Sequence, residues 1–264
     1  MKEIKALMFD IDDTLYSHKI NSIPQKTLDA LQKLKATGYP MAISTSRTYY
    51  ELDYFPKEMF DMFDYIFSGT GTIIHQKDIV IEAVTMPKGL VREFIDYFDN
   101  NNITYAWAGK KGVMHFSEKL SEEKRSHVIK YTSKEPIIEK WNNDDTIMLT
   151  FYNVNEVQLR DIKSLSPFAN VTAWHTSGQI SPLGIDKSYG LKRFSQFIDI
   201  PVEQICAFGD GANDISMITS AGFGIAVGNS NEELMKQANY ISDTIENGGI
   251  MEACVHLQLI KENN

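Results

Sequence analysis

Two carboxylates, Asp10 and Asp12, stand two residues apart directly after the apolar run at residues 4–9. Such a run reads as a buried strand. Acids at its end fall at the carboxyl edge of a sheet, where open α/β folds bind ligands. Three further positions carry groups that could join them. Thr45 follows the apolar stretch 41–44, Lys187 opens a helical pattern, and Gly209-Asp210-Gly211-Ala212-Asn213-Asp214 follows the apolar stretch 204–208. A parallel sheet would bring the acids and the hydroxyl to one edge. A set of this kind offers oxygen ligands for a hard cation, a carboxyl able to carry a proton and an ammonium for developing negative charge. Each piece alone has a plainer reading. Asp-x-Asp is a common solvated turn, Thr45 a helix N-cap, Lys187 a solvated helix residue, Gly209-Asp210-Gly211 a turn, and Asn213-Asp214 a helix N-terminus. Their joint occurrence in one order favours a site.

The elements that must position these groups alternate at both ends of the chain and change texture between. A helix starts near Pro24, with Leu28, Leu31 and Leu34 at helical spacing and Gly38 ending it. Strands follow at 41–44 and 65–67, then a hairpin carrying Ile73, Ile74, Ile79 and Ile81. From about Pro87 to Pro182 the order becomes α-β-β-α-β-α-β-β, an α+β pattern with an antiparallel sheet. Within it, Phe94, Tyr97 and Phe98 read as core, and Lys110-Lys111 as a solvated turn. Helices at 187–197, 215–220 and 232–238 then alternate with strands at 204–208 and 225–227. The expected fold class is α/β, with a parallel-sheet domain made of two separated segments and a second domain inserted between them.

Of the 264 residues, 43% are hydrophobic and 23% charged, the balance of an ordinary globular protein. A net charge of −9 argues against nucleic acid or an anionic membrane as main partner. It leaves a small phosphorylated molecule open, because a local cluster binds an anion whatever the global charge. Cys206 and Cys254 make no disulfide framework and show no metal-type spacing. No signal peptide fits the first residues, and no apolar run approaches the ~18–20 residues of a spanning helix. A reduced, cytoplasmic protein is expected.

In this order and spacing, the four segments resemble those of the haloacid dehalogenase superfamily of phosphatases. The insertion between the second and third resembles its Cof-type branch with a C2-type cap, and the resemblance covers essentially the whole chain. It implies a Rossmann-like core over residues 1–86 and 183–264, an α+β cap over 87–182, a magnesium ion, and hydrolysis of a small phosphate monoester such as a sugar phosphate, with flavin and pyridoxal phosphates as further candidates. It also makes Asp10 the nucleophile that forms an aspartyl phosphate and Asp12 the general acid and base. Thr45, the Ser46 N–H, Lys187 and Asn213 would hold the phosphoryl group. Mg2+ would take Asp10, Asp210 and the backbone carbonyl of Asp12, with Asp214 binding directly or through water. A carboxylate nearing a phosphate is repelled by about 4 kcal/mol per charge pair at ~4 Å and an effective ε of ~20, which the cation offsets. With Asp12 protonated, Mg2+ and Lys187 balance the other three acids.

Asp13, Ser46 and Ser68 stand where Gly, Gly and Asn are frequent in the family, but no acid, nor Lys187 or Asn213, is lost. A phosphomutase would share the aspartyl-phosphate step. A non-catalytic sensor of a phosphorylated metabolite would not need the Asp10–Asp12 pair. A phosphate-accepting receiver domain uses similar groups in about half this length.

Overall fold

The computed structural model describes residues 3–165, 167–228 and 230–261. Strand β1 (Ala6–Phe9) sends Leu7 and Phe9 into one buried cluster and Ala6 and Met8 into another on the opposite face. This is the period-two behaviour of a strand covered on both sides. Helix α1 (Gln25–Ala36) lays Ala30, Leu31 and Leu34 on the Leu7 face. Strand β2 (Met41–Ser44) pairs parallel with β1, a 3-10 turn (Tyr49–Tyr54) and α2 (Lys57–Phe60) follow, and β3 (Tyr65–Ser68) pairs parallel with β2. Strands β4 (Ile73–Gln76) and β5 (Ile79–Ala83) then turn back as an antiparallel hairpin.

A second sheet follows, through α3 (Lys88–Asn100), β6 (Thr104–Gly109), β7 (Met114–Phe116), α4 (Glu122–Thr132), β8 (Ile137–Ile138), β9 (Thr146–Tyr152), α5 (Glu156–Leu165), β10 (Ala169–Trp174) and β11 (Ser177–Pro182). The chain returns through α6 (Lys187–Ile198), β12 (Ile205–Gly209), α7 (Ile215–Ser220), β13 (Phe223–Ala226), α8 (Glu232–Gln237), β14 (Tyr240–Ile241) and α9 (Gly249–His256). The first sheet runs β14-β13-β12-β1-β2-β3-β4-β5, and the second β10-β11-β9-β6-β7-β8.

Register decides where the polar groups go. Phe9 pairs with Phe208 on one side and Ile43 on the other. Asp10, Asp210 and Thr45 therefore leave adjoining parallel strands at one edge, where the strand order reverses around β1. In the second sheet, Phe94 and Phe98 of α3 and Ile162 of α5 pack with Tyr105, Trp107, Leu149 and Phe151. Burying each large apolar side chain there stabilises the fold by about 1.5–3 kcal/mol. The opposite face carries Ala106, Ala108, Met114, Phe116 and Met148, clustered with Ile73 of the first sheet and Val128 of α4. The two sheets thus meet through apolar contacts.

One expectation needs correction. Strand β8 joins β7 in parallel, so the second sheet is not antiparallel throughout. At two residues β8 is too short to show a period, and the same holds for β14. Helix α9 opens at Gly249, directly after Gly248, and is mostly apolar, which hides its helical stripe. Among the described residues no helix is long and apolar enough to cross a membrane.

Candidate active site

Lys187 is the first residue of α6 and is wholly buried. Its Nζ donates to Asp10 Oδ1 and to Asp214 Oδ1, each at 2.5 Å. A buried ammonium needs such partners, because desolvation alone would expel or neutralise it. The position is set locally: Asp186 caps α6 by accepting the Tyr189 N–H at 3.0 Å, which presents Lys187 at the helix start. The plainer reading of Lys187 as a solvated residue is therefore wrong.

Asp214 also ties down its own loop. Its Oδ2 accepts the N–H groups of Asp210 and Gly211 at 3.0 and 2.9 Å. Position 209 must be glycine, since a Cβ there would stand 2.6 Å from the Asp214 side chain. Asp210 Oδ1 accepts from the Thr14 hydroxyl at 2.9 Å. One oxygen from each of Asp10, Asp210 and Asp214 lies within 4.8 Å of the others.

The electrostatics follow from that crowding. Burial raises the Asp10 carboxyl well above its ordinary range; Lys187 opposes this, while Asp214 and Asp210 add to it. Burial, then Asp214, pushes Asp210 up to about 7. Burial would lower Lys187, but Asp10 and Asp214 outweigh it and raise the ammonium. Three acids facing one ammonium leave surplus negative charge in a buried place, and every donor is an oxygen. That is the chemistry of a hard divalent cation site, and the residues fit one. Asp10 and Asp210 each keep one carboxylate oxygen without a partner among the described residues, whereas both oxygens of Asp214 are engaged. The Asp12 carbonyl accepts no backbone hydrogen bond there either.

Asp12 belongs to a second charged group beside the first. Arg47 donates to it through Nε, at 2.9 Å to Oδ2, and through Nη2, at 2.7 Å to Oδ1. His18 Nε2 lies 2.6 Å from Oδ1. Burial would raise Asp12, but the His18 and Arg47 bonds prevail and hold it at about 2. The two-point guanidinium contact thus favours the carboxylate form of Asp12. Arg47 also donates through Nη1 to the Tyr131 carbonyl at the end of α4, at 3.0 Å. Its guanidinium lies 4.7 Å from the Phe55 ring centroid.

The remaining expected residues divide. Thr45 is buried at the strand edge, and its Oγ1 accepts the Arg47 N–H at 3.1 Å, so it shapes a turn instead of capping a helix. Ser46 is half-buried and Asn213 exposed. Neither side chain bonds to the acid groups among the described residues. Asp13 takes φ +55°, the left-handed region that Gly favours and Asp tolerates. Sequence reasoning missed Arg47, His18 and Thr14 as members of the site. Arg47 carried a faint signal, two residues beyond a strand-end threonine. His18 carried none.

A profile of the haloacid dehalogenase-like hydrolases matches residues 7–254. The chain belongs to this family. A Streptococcus pyogenes protein named as a bifunctional phosphatase and peptidyl-prolyl cis-trans isomerase is 27% identical over 98% of this chain, which spans 55% of that relative's length. A Bacillus subtilis protein named as a phosphatase, YkrA, is 27% identical over 97% of this chain and 99% of its own. A Bacteroides thetaiotaomicron structure, described among phosphatases of the same superfamily, superposes with a TM-score of 0.84 at 26% identity, covering 98% of this chain and 96% of its own. In this haloacid dehalogenase-like chain, the acid groups lie at the edge of a parallel sheet, as the resemblance implied.

Proposed function

We propose that the protein is a Cof-type phosphatase hydrolysing small-molecule phosphate monoesters, with residues 1–86 and 183–264 as catalytic core and 87–182 as a closing cap. The observation that carries this reading is Lys187, buried between Asp10 and Asp214, an ammonium placed where a phosphoryl group would bring negative charge. Phosphatase-named relatives that align over nearly the whole chain support it. Both cysteines, buried and free, agree with a reducing cytoplasm.

Asp10 attacks phosphorus in line, and the bond to the leaving oxygen breaks as the aspartyl phosphate forms. Asp12 gives its proton to that oxygen, then takes one from the water that cleaves the intermediate and restores Asp10. Arg47 holds Asp12 as a carboxylate, the form the second step needs. For the first step Arg47 must turn aside so that Asp12 can hold a proton. The Thr45 hydroxyl, the Ser46 N–H and Asn213 bind phosphoryl oxygens. Asp214 keeps Lys187 in place. Asp10, Asp210 and the Asp12 carbonyl would hold magnesium, which would supply positive charge against the repulsion between nucleophile and phosphate.

The test is phosphate release from a panel of esters, with Mg2+ or with chelator, by wild type and Asp10→Asn. Mg2+-dependent turnover should fall more than about 10⁴-fold in the variant. No turnover of any ester by folded wild type would end this reading. A requirement for a bisphosphate activator would make the protein a phosphomutase.

A further inference from the structure

Asp12 is held from two sides, and its two holders are tied to different parts of the molecule. Arg47 bonds to both of its carboxylate oxygens and, through Nη1, to the Tyr131 carbonyl of α4. Tyr131 lines a cavity of about 400 Å3 between α4, the open face of the second sheet and the 3-10 turn at Tyr49–Tyr54. Arg47 therefore joins Asp12 to the wall of that cavity. His18 meets Asp12 from the loop after β1, with Nε2 2.6 Å from Oδ1.

His18 is anchored beside the first sheet. Its backbone N–H donates to Asp13 Oδ1 at 3.0 Å. Short bridges between Asp12 and Tyr16 and between Ser17 and Ser22 close its loop, and the Ser17 hydroxyl donates to Glu246. The imidazole stands edge-on to Tyr16 with centroids 5.3 Å apart, and its plane lies 24° from that of Tyr54. From α4 it meets the Tyr131 ring, edge-on at 6.0 Å. A carboxylate only accepts, so Nε2 carries the hydrogen of the bond to Asp12. A carboxyl with its proton on Oδ2 still accepts at Oδ1, so this bond survives a change of charge on Asp12. The Arg47 Nε bond, in contrast, occupies Oδ2.

We propose that His18 positions Asp12 during the reaction, fixing Oδ1 from the loop after β1 and leaving Oδ2 to the leaving oxygen and then to water. This rests on the phosphatase reading, in which Asp12 serves both. Once Arg47 turns aside, the Asp12 side chain keeps the His18 bond, and that bond sets the plane of the carboxyl. Misplacing a reacting group by about 1 Å costs on the order of 10²-fold in rate, so such a bond matters. His18 touches neither phosphate nor leaving group and takes no proton in either step, so it is a positioning residue. Asp13, standing where Gly is frequent in the family, serves the same end by holding the His18 backbone.

The test measures kcat and KM, with Mg2+, for the alkyl ester that wild type cleaves fastest and for p-nitrophenyl phosphate. An alkoxide leaves only with a proton from Asp12, whereas p-nitrophenolate leaves without one. His18→Leu deletes the donor, His18→Gln carries an amide N–H to nearly the same reach, and His18→Asn carries the same amide on a shorter stem. His18→Leu and His18→Asn should lower kcat for the alkyl ester about 10–100-fold, with KM within about 2-fold. Their loss on p-nitrophenyl phosphate should be about 10-fold smaller. His18→Gln should recover to within about 3-fold of wild type. An unchanged Tm verifies that each variant is folded, and if His18→Leu is not, the comparison of His18→Gln with His18→Asn decides. Equal losses on both esters, a raised KM with kcat kept, or no recovery in His18→Gln overturns the proposal while the phosphatase reading stands. Wild type that cleaves no ester overturns both.

Discussion

The acid groups at the edge of the first sheet and the cavity under the second are built in opposite ways. Asp10, Thr45, Lys187 and Asp214 are buried and hang from elements of one parallel sheet, whose register allows a single arrangement. The cavity is walled by α4 and a sheet face, and polar contacts tie the segment just after α4 to the 3-10 turn at Tyr49–Tyr54. Lys134 pairs with Asp53 at 2.7 Å, and the Tyr50 hydroxyl donates to the Glu135 carbonyl at 3.0 Å. The difference teaches a division of labour. Breaking phosphate from oxygen is the same step for every ester and rewards rigid charges. Under the proposed phosphatase reading the leaving group varies, and a wall that could part would admit and release it.

The comparison breaks most severely at Lys187. Lys187→Ala leaves Asp10 and Asp214 facing each other without their cation, and should cost about 3–5 kcal/mol of folding stability in urea titrations, together with activity. A loss below about 1 kcal/mol would mean that the centre is not held by this pair.

The seam between the two regions carries a pH signal. His75 of β4 is buried, stacks on Tyr49 with ring centroids 3.8 Å apart, and neither ring nitrogen has a partner among the described residues. Burial pulls its imidazole from 6.5 down to about 4. Between those values the unfolded chain binds a proton that the folded protein refuses, so stability falls as pH drops through this window. It does not change further, from this group, below about 4 or above 6.5. The full loss is about 3 kcal/mol. His75→Phe should remove that share of the slope and raise the urea midpoint at pH 5 relative to wild type, because it deletes two unsatisfied buried atoms. Equal midpoints for both proteins at pH 5 and 7.5 would refute this.

The smallest effect sharpens the contrast from the cavity side. Lys134→Ala removes a partly exposed ion pair and should change stability by no more than about 1 kcal/mol. It should nonetheless shift KM for bulky esters, because the pair helps close α4 onto the first sheet. A drop well beyond 1 kcal/mol would show that the two regions are welded.

Much of this was legible in the chain. The apolar runs before Asp10, Thr45 and Asp210 announced strands ending in polar groups, and those strands are neighbours in the first sheet. The long helices and most strands showed their periods. What escaped was short, as with β8 and β14, or depended on distant partners. Lys187 was expected in the site from the order of the segments, but nothing local betrays the two acids 177 and 27 positions away that bury it.

Sequence alone determined the kind of chemistry, because residue types placed after strands fall at a sheet edge through backbone periodicity. Tertiary structure decided the charge of Asp12, since Arg47 meets it across 35 positions of chain. It likewise decided that Asp214 is spent on Lys187 and its own loop, and that Glu51 and Lys124 share a cavity. Electrostatic and hydrogen-bond energies depend on separations of a few ångströms between side chains, and spacing along a chain does not encode those separations.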